Sequence, residues 1–172
     1  MTMKHHDPLD TLGSIYEKMF ERASAAFHTA ENKTEAALHK LIDDAKEVSV
    51  ELKEASKDDA EKISAYIKRD LADAGTYMHE TGSELRQWLG FEVELLEDRF
   101  ADMLLKIADK TTVELFQINK NTDQKNTYHT GEVTGPGTLH CAECEEILTF
   151  HQPGKIPQCP KCHSTTYHRK QY

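Results

Sequence analysis

Cys141-Ala142-Glu143-Cys144 and Cys159-Pro160-Lys161-Cys162 decide how this chain is read. They contain all four of its cysteines, in the spacing C-x2-C-x14-C-x2-C. A tetrahedral metal ion takes four thiolates at about 2.3 Å. Two residues between cysteines let one tight turn aim both sulfurs at a single ion, and a second such turn closes the shell. The spacing lies just below the linker range usual for such sites. The expectation is one structural Zn2+ per chain, held by Cys141, Cys144, Cys159 and Cys162. Glu145 and His163 follow the two pairs, where turns of this kind often carry glycine to allow a positive φ. With four thiolates filling the shell, His140 and His163 are expected as strand or turn residues, not ligands.

The flanks suit strands. Thr138-Leu139-His140 leads into the first turn, Ile147-Leu148-Thr149-Phe150 leaves it, and Thr165-Thr166-Tyr167-His168 leaves the second. These are β-branched and aromatic residues. Gly135-Pro136-Gly137 and Gln152-Pro153-Gly154 are turn signals. Together they fit a small β zinc ribbon of rubredoxin-like form. Two structural disulfides would need an oxidising compartment, and a redox CxxC expects a βαβ pattern that is missing. A four-thiolate iron centre uses the same ligands, and spacing alone does not distinguish it from zinc.

Working outward, the preceding residues read as helix. Leu12, Ile15, Met19, Ala23 and Ala26 recur at steps of three and four behind an Asp7-Pro8 start. The face thins at Ala30 and Thr34, then resumes as Leu38, Leu41, Ala45, Val48, Leu52 and Ala55, a heptad-like seam. Ser56-Lys57-Asp58-Asp59 resembles a capping box and points to a break, the alternative being one helix that runs through Ser56. Ala60, Ile63, Ile67, Leu71, Ala74 and Met78 follow, with a turn near Gly82. A wider stripe, Leu85, Leu89, Val93, Leu96, Phe100, Met103 and Ile107 with Trp88, Phe91, Leu95 and Leu104 beside it, needs covering on more than one side. The fold expected is mainly α. A long antiparallel, coiled-coil-like helical hairpin or bundle spans 7–118, with a linker at 119–127 and the ribbon at 128–172. Leu38–Ala55 would pack on Leu85–Ile107, and the Trp88 side would stay bare enough to support a homodimer or hold a protein partner.

Charge is uneven. The chain carries a net charge of -9 and a mean hydropathy of -0.68. From Tyr128 onward, Glu132, Glu143, Glu145 and Glu146 balance Lys155, Lys161, Arg169 and Lys170, so the deficit belongs to the helices. Nucleic-acid binders usually show the opposite sign. No apolar run approaches the ~20 residues of a membrane span. The first residues show no apolar signal-type stretch. With free CxxC pairs, the expected setting is a reducing cytoplasm.

Catalytic constellations are missing: no HExxH, nucleophile elbow or Walker sequence. A di-iron bundle requires Glu-x-x-His, and no histidine here has Glu three residues before it. The chain is therefore expected to be a non-enzymatic adaptor. A second reading gives the ribbon to nucleic acid or a nucleoprotein through Lys155, Lys161, Arg169, Lys170, Phe150 and Tyr167. A third is electron transfer through iron.

The segment Tyr128-His129-Thr130-Gly131-Glu132-Val133-Thr134-Gly135-Pro136-Gly137, the two cysteine pairs, the ending Tyr167-His168-Arg169, and Ala108-Asp109-Lys110-Thr111-Thr112-Val113-Glu114-Leu115 together resemble a bacterial zinc-ribbon-containing family of unknown function. The resemblance implies an N-terminal helical region and a C-terminal ribbon. It is carried by residues 108–172 and is architectural before them. His163 departs from the glycine common after the last cysteine. The resemblance implies no activity, substrate or partner.

Overall fold

A computed structural model describes residues 11–81, 85–90 and 127–169. The helical part begins with α1 (Thr11–Thr29), α2 (Glu35–Glu51) and α3 (Lys57–Thr81). The weakening of the seam at Ala30 and Thr34 is a true break. Thr34 is extended, at φ -104° and ψ 162°, and its hydroxyl accepts from the Ala37 N–H, so it caps α2. The second break falls where Ser56 predicts it: Ser56 Oγ accepts from the Asp59 N–H at 3.1 Å, and α3 starts at Lys57.

The three helices contact one another pairwise. Of the expected hairpin or bundle, the described helices therefore pack as a bundle, each against the other two. A heptad seam serves one neighbour, whereas a helix wedged between two buries a broader face. On α2 the buried residues are Leu38, Ile42, Ala45 and Ser49, while Val48 and Leu52 are 37% and 60% exposed. On α1 Tyr16, Phe20 and Phe27 join Ile15, Met19 and Ala23 in the core. α2 and α3 run antiparallel, since Lys46 meets Glu61 and Asp43 meets Lys68.

A short helix α4 (Leu85–Leu89) adds Trp88 and Leu89 to the same core. Trp88, expected on a bare face, is only 8% exposed. The remainder of the expected stripe, the start at Asp7-Pro8, the segment from Ala108 to Leu115 and all but the last residue of the expected linker lie outside the described residues. None of the described helices is long and apolar enough to cross a membrane.

The C-terminal part is a ribbon of six short strands: β1 (Thr127–His129), β2 (Val133–Thr134), β3 (Gly137–Cys141), β4 (Ile147–Phe150), β5 (Gly154–Lys155) and β6 (Thr166–His168). One antiparallel sheet has the order β1-β6-β3-β4, and β2 pairs β5 in a second. The strands expected around the cysteines are β3, β4 and β6. The others are two or three residues long, too short to show alternation in sequence. Tyr128, Leu139, Cys141, Ile156, Cys159 and Tyr167 form the ribbon's own core. Val133 of β2 belongs instead to the helical core, so the ribbon is seated against the helices.

Candidate metal centre

Each CxxC is a tight turn built the same way. In the first, the Glu145 N–H donates to the Cys141 carbonyl at 3.1 Å and the Cys141 N–H to the Glu146 carbonyl at 2.9 Å. In the second, the His163 N–H donates to Cys159 O at 2.9 Å and the Cys159 N–H to Ser164 O at 3.0 Å. Closing the loop this way forces the residue after each pair into the left-handed region, with Glu145 at φ 58° and His163 at φ 62°. The glycine-like role assigned to these two positions is therefore present, filled by residues with side chains.

The turns bring all four sulfurs within 4.8 Å of one another. The Cys141–Cys162 pair stands at 3.4 Å and Cys144–Cys159 at 3.6 Å, each linking one turn to the other. Thiolates bound at about 2.3 Å to one tetrahedral ion stand about 3.8 Å apart. The donor set and its spacing therefore fit a metal ion. Among the described residues this is the one group of histidine, cysteine and carboxylate side chains so arranged.

The electrostatics repeat with the backbone. Burial opposes the thiolate of Cys141, but the N–H groups of Cys144 and Glu143 outweigh it and pull the pKa down to about 6. Cys159 is lowered by the same balance, its donors being the N–H groups of Cys162 and Lys161. At Cys162 the Ser164 N–H favours the thiolate, yet the neighbouring thiols and burial push the pKa up to about 12. Cys144 is also raised, its thiol neighbours and burial outweighing the Glu146 N–H. A divalent cation among them would favour the thiolate form of all four sulfurs, because it attracts each of them.

The ribbon's other face is a docking surface of buried charge. Asp70 of α3 is 4% exposed. Its Oδ2 accepts from Tyr16 Oη at 2.7 Å and from the Gly135 N–H at 2.8 Å. Its Oδ1 accepts from Arg69 Nε at 3.1 Å. Arg69 also donates to Glu132 at 2.7 Å and to the Val133 carbonyl at 2.9 Å, and stacks 4.1 Å from the Tyr128 ring. Burial lowers the proton affinity of Arg69, and Asp70, Tyr128 and Glu132 more than restore it, so it stays charged. Burial first, and Asp70 next, push the Tyr16 hydroxyl well above its ordinary pKa, so it remains a donor.

Arg169, just beyond β6, is the second cation of this surface. It donates to Tyr128 Oη at 3.0 Å and Thr134 Oγ1 at 3.2 Å, pairs with Asp73 of α3 at 3.2 Å, and lies 4.1 Å over the Trp88 ring. The Gly135-Pro136-Gly137 loop fits around it. Gly137 has φ +145°, and a Cβ there would run into the Arg169 guanidinium; one at Gly135 would meet Tyr16 Oη at 2.6 Å.

This placement removes Arg169 and the fully buried Tyr167 from the surface the nucleic-acid reading needed. Lys155 and Lys161 remain exposed, Phe150 is half-buried, and Lys170 lies outside the described residues. Arg69, Asp70 and Asp73 were not singled out by sequence reasoning. A signal was available: Tyr66, Arg69-Asp70, Asp73 and Tyr77 recur at helical spacing, mixing aromatics with charge on a face beside the apolar one.

Residues 25–171 match the family model described as a zinc-ribbon containing domain. The chain belongs to that family. The match reaches far into the helices, well before residue 108, where the sequence resemblance was only architectural. The uncharacterized protein YbeL of Escherichia coli K12 is 23% identical over 164 residues, covering 95% of this chain and 99% of its own. YbeL of the strains O6:H1 and O157:H7 gives the same figures. No solved structure matches the chain at a significant level. Within this family member, the stretch from Tyr128 to Gly137 that first suggested the resemblance contains no metal ligand. Tyr128, Glu132, Val133, Thr134, Gly135 and Gly137 all face the helices or the arginines between.

Proposed function

We propose that the chain is a zinc-binding, non-enzymatic adaptor of the reducing cytoplasm whose ribbon is structural and whose work is to hold a protein partner. The observation that supports it best is the pair of matching turns with four sulfurs within 4.8 Å. Zn2+ would be held by Cys141, Cys144, Cys159 and Cys162 and would supply a fixed tetrahedral centre around which the strands close. A shell filled by four protein thiolates leaves no open position for substrate, which supports a structural role over a catalytic one. The four cysteines form no disulfide, which suits a reducing compartment. Protein contact is favoured over nucleic acid because the acidic surplus sits on the helices and Arg169 is committed to the interior.

The test is elemental analysis of freshly purified, reduced protein, together with its visible spectrum. One equivalent of zinc in a colourless protein is the expected result. Well under one equivalent of zinc, or the colour of a four-thiolate iron centre, refutes it. Binding of RNA or DNA that weakens steeply with salt would overturn the choice of partner class.

A further inference from the structure

We propose that metal loading and the docking of the ribbon on the helices form one coupled equilibrium, with β6 as the linking element. The proposal rests on the zinc reading above.

Three observations carry it. First, the ribbon core has six buried side chains, and two of them, Cys141 and Cys159, are sulfur donors. So small a unit draws much of its folding free energy from the ion. Second, β6 stands between the metal turn and the docking surface. Tyr167 pairs with Cys141 of β3 on one side and with Tyr128 of β1 on the other. The Ala142 N–H, inside the first turn, donates to the Thr166 carbonyl at 3.0 Å. Tyr128 Oη donates to Asp73 at 2.8 Å, and Arg169 follows two residues after Tyr167. Loss of the turn at Cys141 therefore removes the β3–β6 pairing that places both Tyr128 and Arg169.

Third, the docked surface has no stable half-made form. Arg69 and Asp70 come from α3, while Glu132, the Gly135 N–H and Arg169 come from the ribbon. Withdrawing one side leaves buried charges without partners, which is strongly unfavourable until water replaces them. The metal-free chain accordingly presents Arg69, Asp70, Asp73 and Trp88 to solvent, and the loaded chain largely covers them. Coupling is reciprocal, so the helices also raise the ribbon's affinity for the ion.

The experiment uses the full, reduced chain titrated with a competing chelator and Zn2+, following the emission of Trp88, the one tryptophan. Removing the metal is expected to shift that emission to the red as the Arg169 guanidinium leaves the ring. Asp73→Asn and Tyr16→Phe change no cysteine, yet each is expected to weaken Zn2+ binding about fivefold or more. Helical circular dichroism checks each variant; if Asp73→Asn fails to fold, Tyr16→Phe decides. Emission that is unchanged on chelation, or folded variants with affinities less changed than that, overturns the coupling. A chain that binds no zinc at all overturns both this proposal and the zinc reading; one that binds zinc with an indifferent Trp88 overturns the coupling alone.

Discussion

Replacing Asp70 by Asn removes one charge and almost no volume, which makes it the sharpest probe of the helix–ribbon boundary. The carboxylate uses both oxygens as acceptors: Oδ2 takes the Tyr16 hydroxyl and the Gly135 N–H, and Oδ1 takes Arg69 Nε. An amide offers one oxygen and one NH2. If the oxygen faces Tyr16 and Gly135, the NH2 faces Arg69, donor against donor. If it is turned round, two donors meet the NH2 instead. Breaking one partner of a buried ion pair costs about 3–5 kcal/mol. Arg69 keeps Glu132 and the Val133 carbonyl, so the lower end, about 3 kcal/mol, applies here. In a chain of this size that corresponds to a fall in Tm of about 6–12 °C. Thermal and urea unfolding followed by helical circular dichroism measure it. Asp58→Asn serves as the control, since that side chain is 81% exposed and its ion pair with Lys62 is at the surface. A loss at Asp70 no greater than at Asp58 refutes the buried network.

Three further outcomes are expected. Gly137→Ala should destabilise by about 2 kcal/mol more than Gly131→Ala: both glycines have positive φ, but only at Gly137 does the new methyl meet Arg169, and differential urea unfolding reads the gap. His163→Gly should strengthen metal retention against a chelator by about 1 kcal/mol, because it relieves the left-handed backbone at φ 62° without touching a sulfur; equal or weaker retention counts against strain there. Glu54 accepts a two-pronged hydrogen bond from Arg22 at 2.7 and 2.8 Å, and this bond holds its carboxyl below the ordinary value of 4.5. A depressed folded pKa contributes stability that is present above the unfolded value and is lost as pH falls through the folded one, so Glu54→Gln should flatten the acid limb below about pH 4.5; an unchanged limb shows that the pair contributes nothing.

The gathering of the four cysteines was legible because its information is local. Two residues between cysteines, twice, specify a turn, and the backbone of that turn specifies the left-handed residue after it, which is why Glu145 and His163 could be singled out without coordinates. The helix break at Ser56 is of the same kind, a cap written in four residues. The seam of α2 was legible only in part, for the opposite reason. Leu38 and Ala45 are buried as a heptad requires, but Val48 and Leu52 are exposed, because a third helix turns the buried face toward Ile42 and Ser49, and Ser49 is tolerated inside because Arg22 reaches its hydroxyl at 2.9 Å. The docking surface was invisible in detail, since Asp70 looks like any helix carboxylate until Tyr16, 54 positions away, is brought against it. Trp88 was misplaced likewise: nothing near it in sequence announces Arg169 as its cover.

The two metal turns match in backbone and differ in dress. The first is followed or filled by Glu143, Glu145 and Glu146; the second carries Lys161 and His163. Cys162, the exposed member of the four, lies on the second. The cage is thus symmetrical in its bonds and polar in its rim, with an acidic lip facing a basic one. Lys161 stands 3.8 Å from Glu146, bridging the two lips. Were a metal held there, an anionic reagent taking it by ligand exchange, a thiolate or a carboxylate chelator, would be repelled from the first lip and drawn to the second, where the exposed sulfur lies. Exchange kinetics of the metal-loaded chain test this: Lys161→Glu should slow an anionic acceptor and leave a neutral one unaffected.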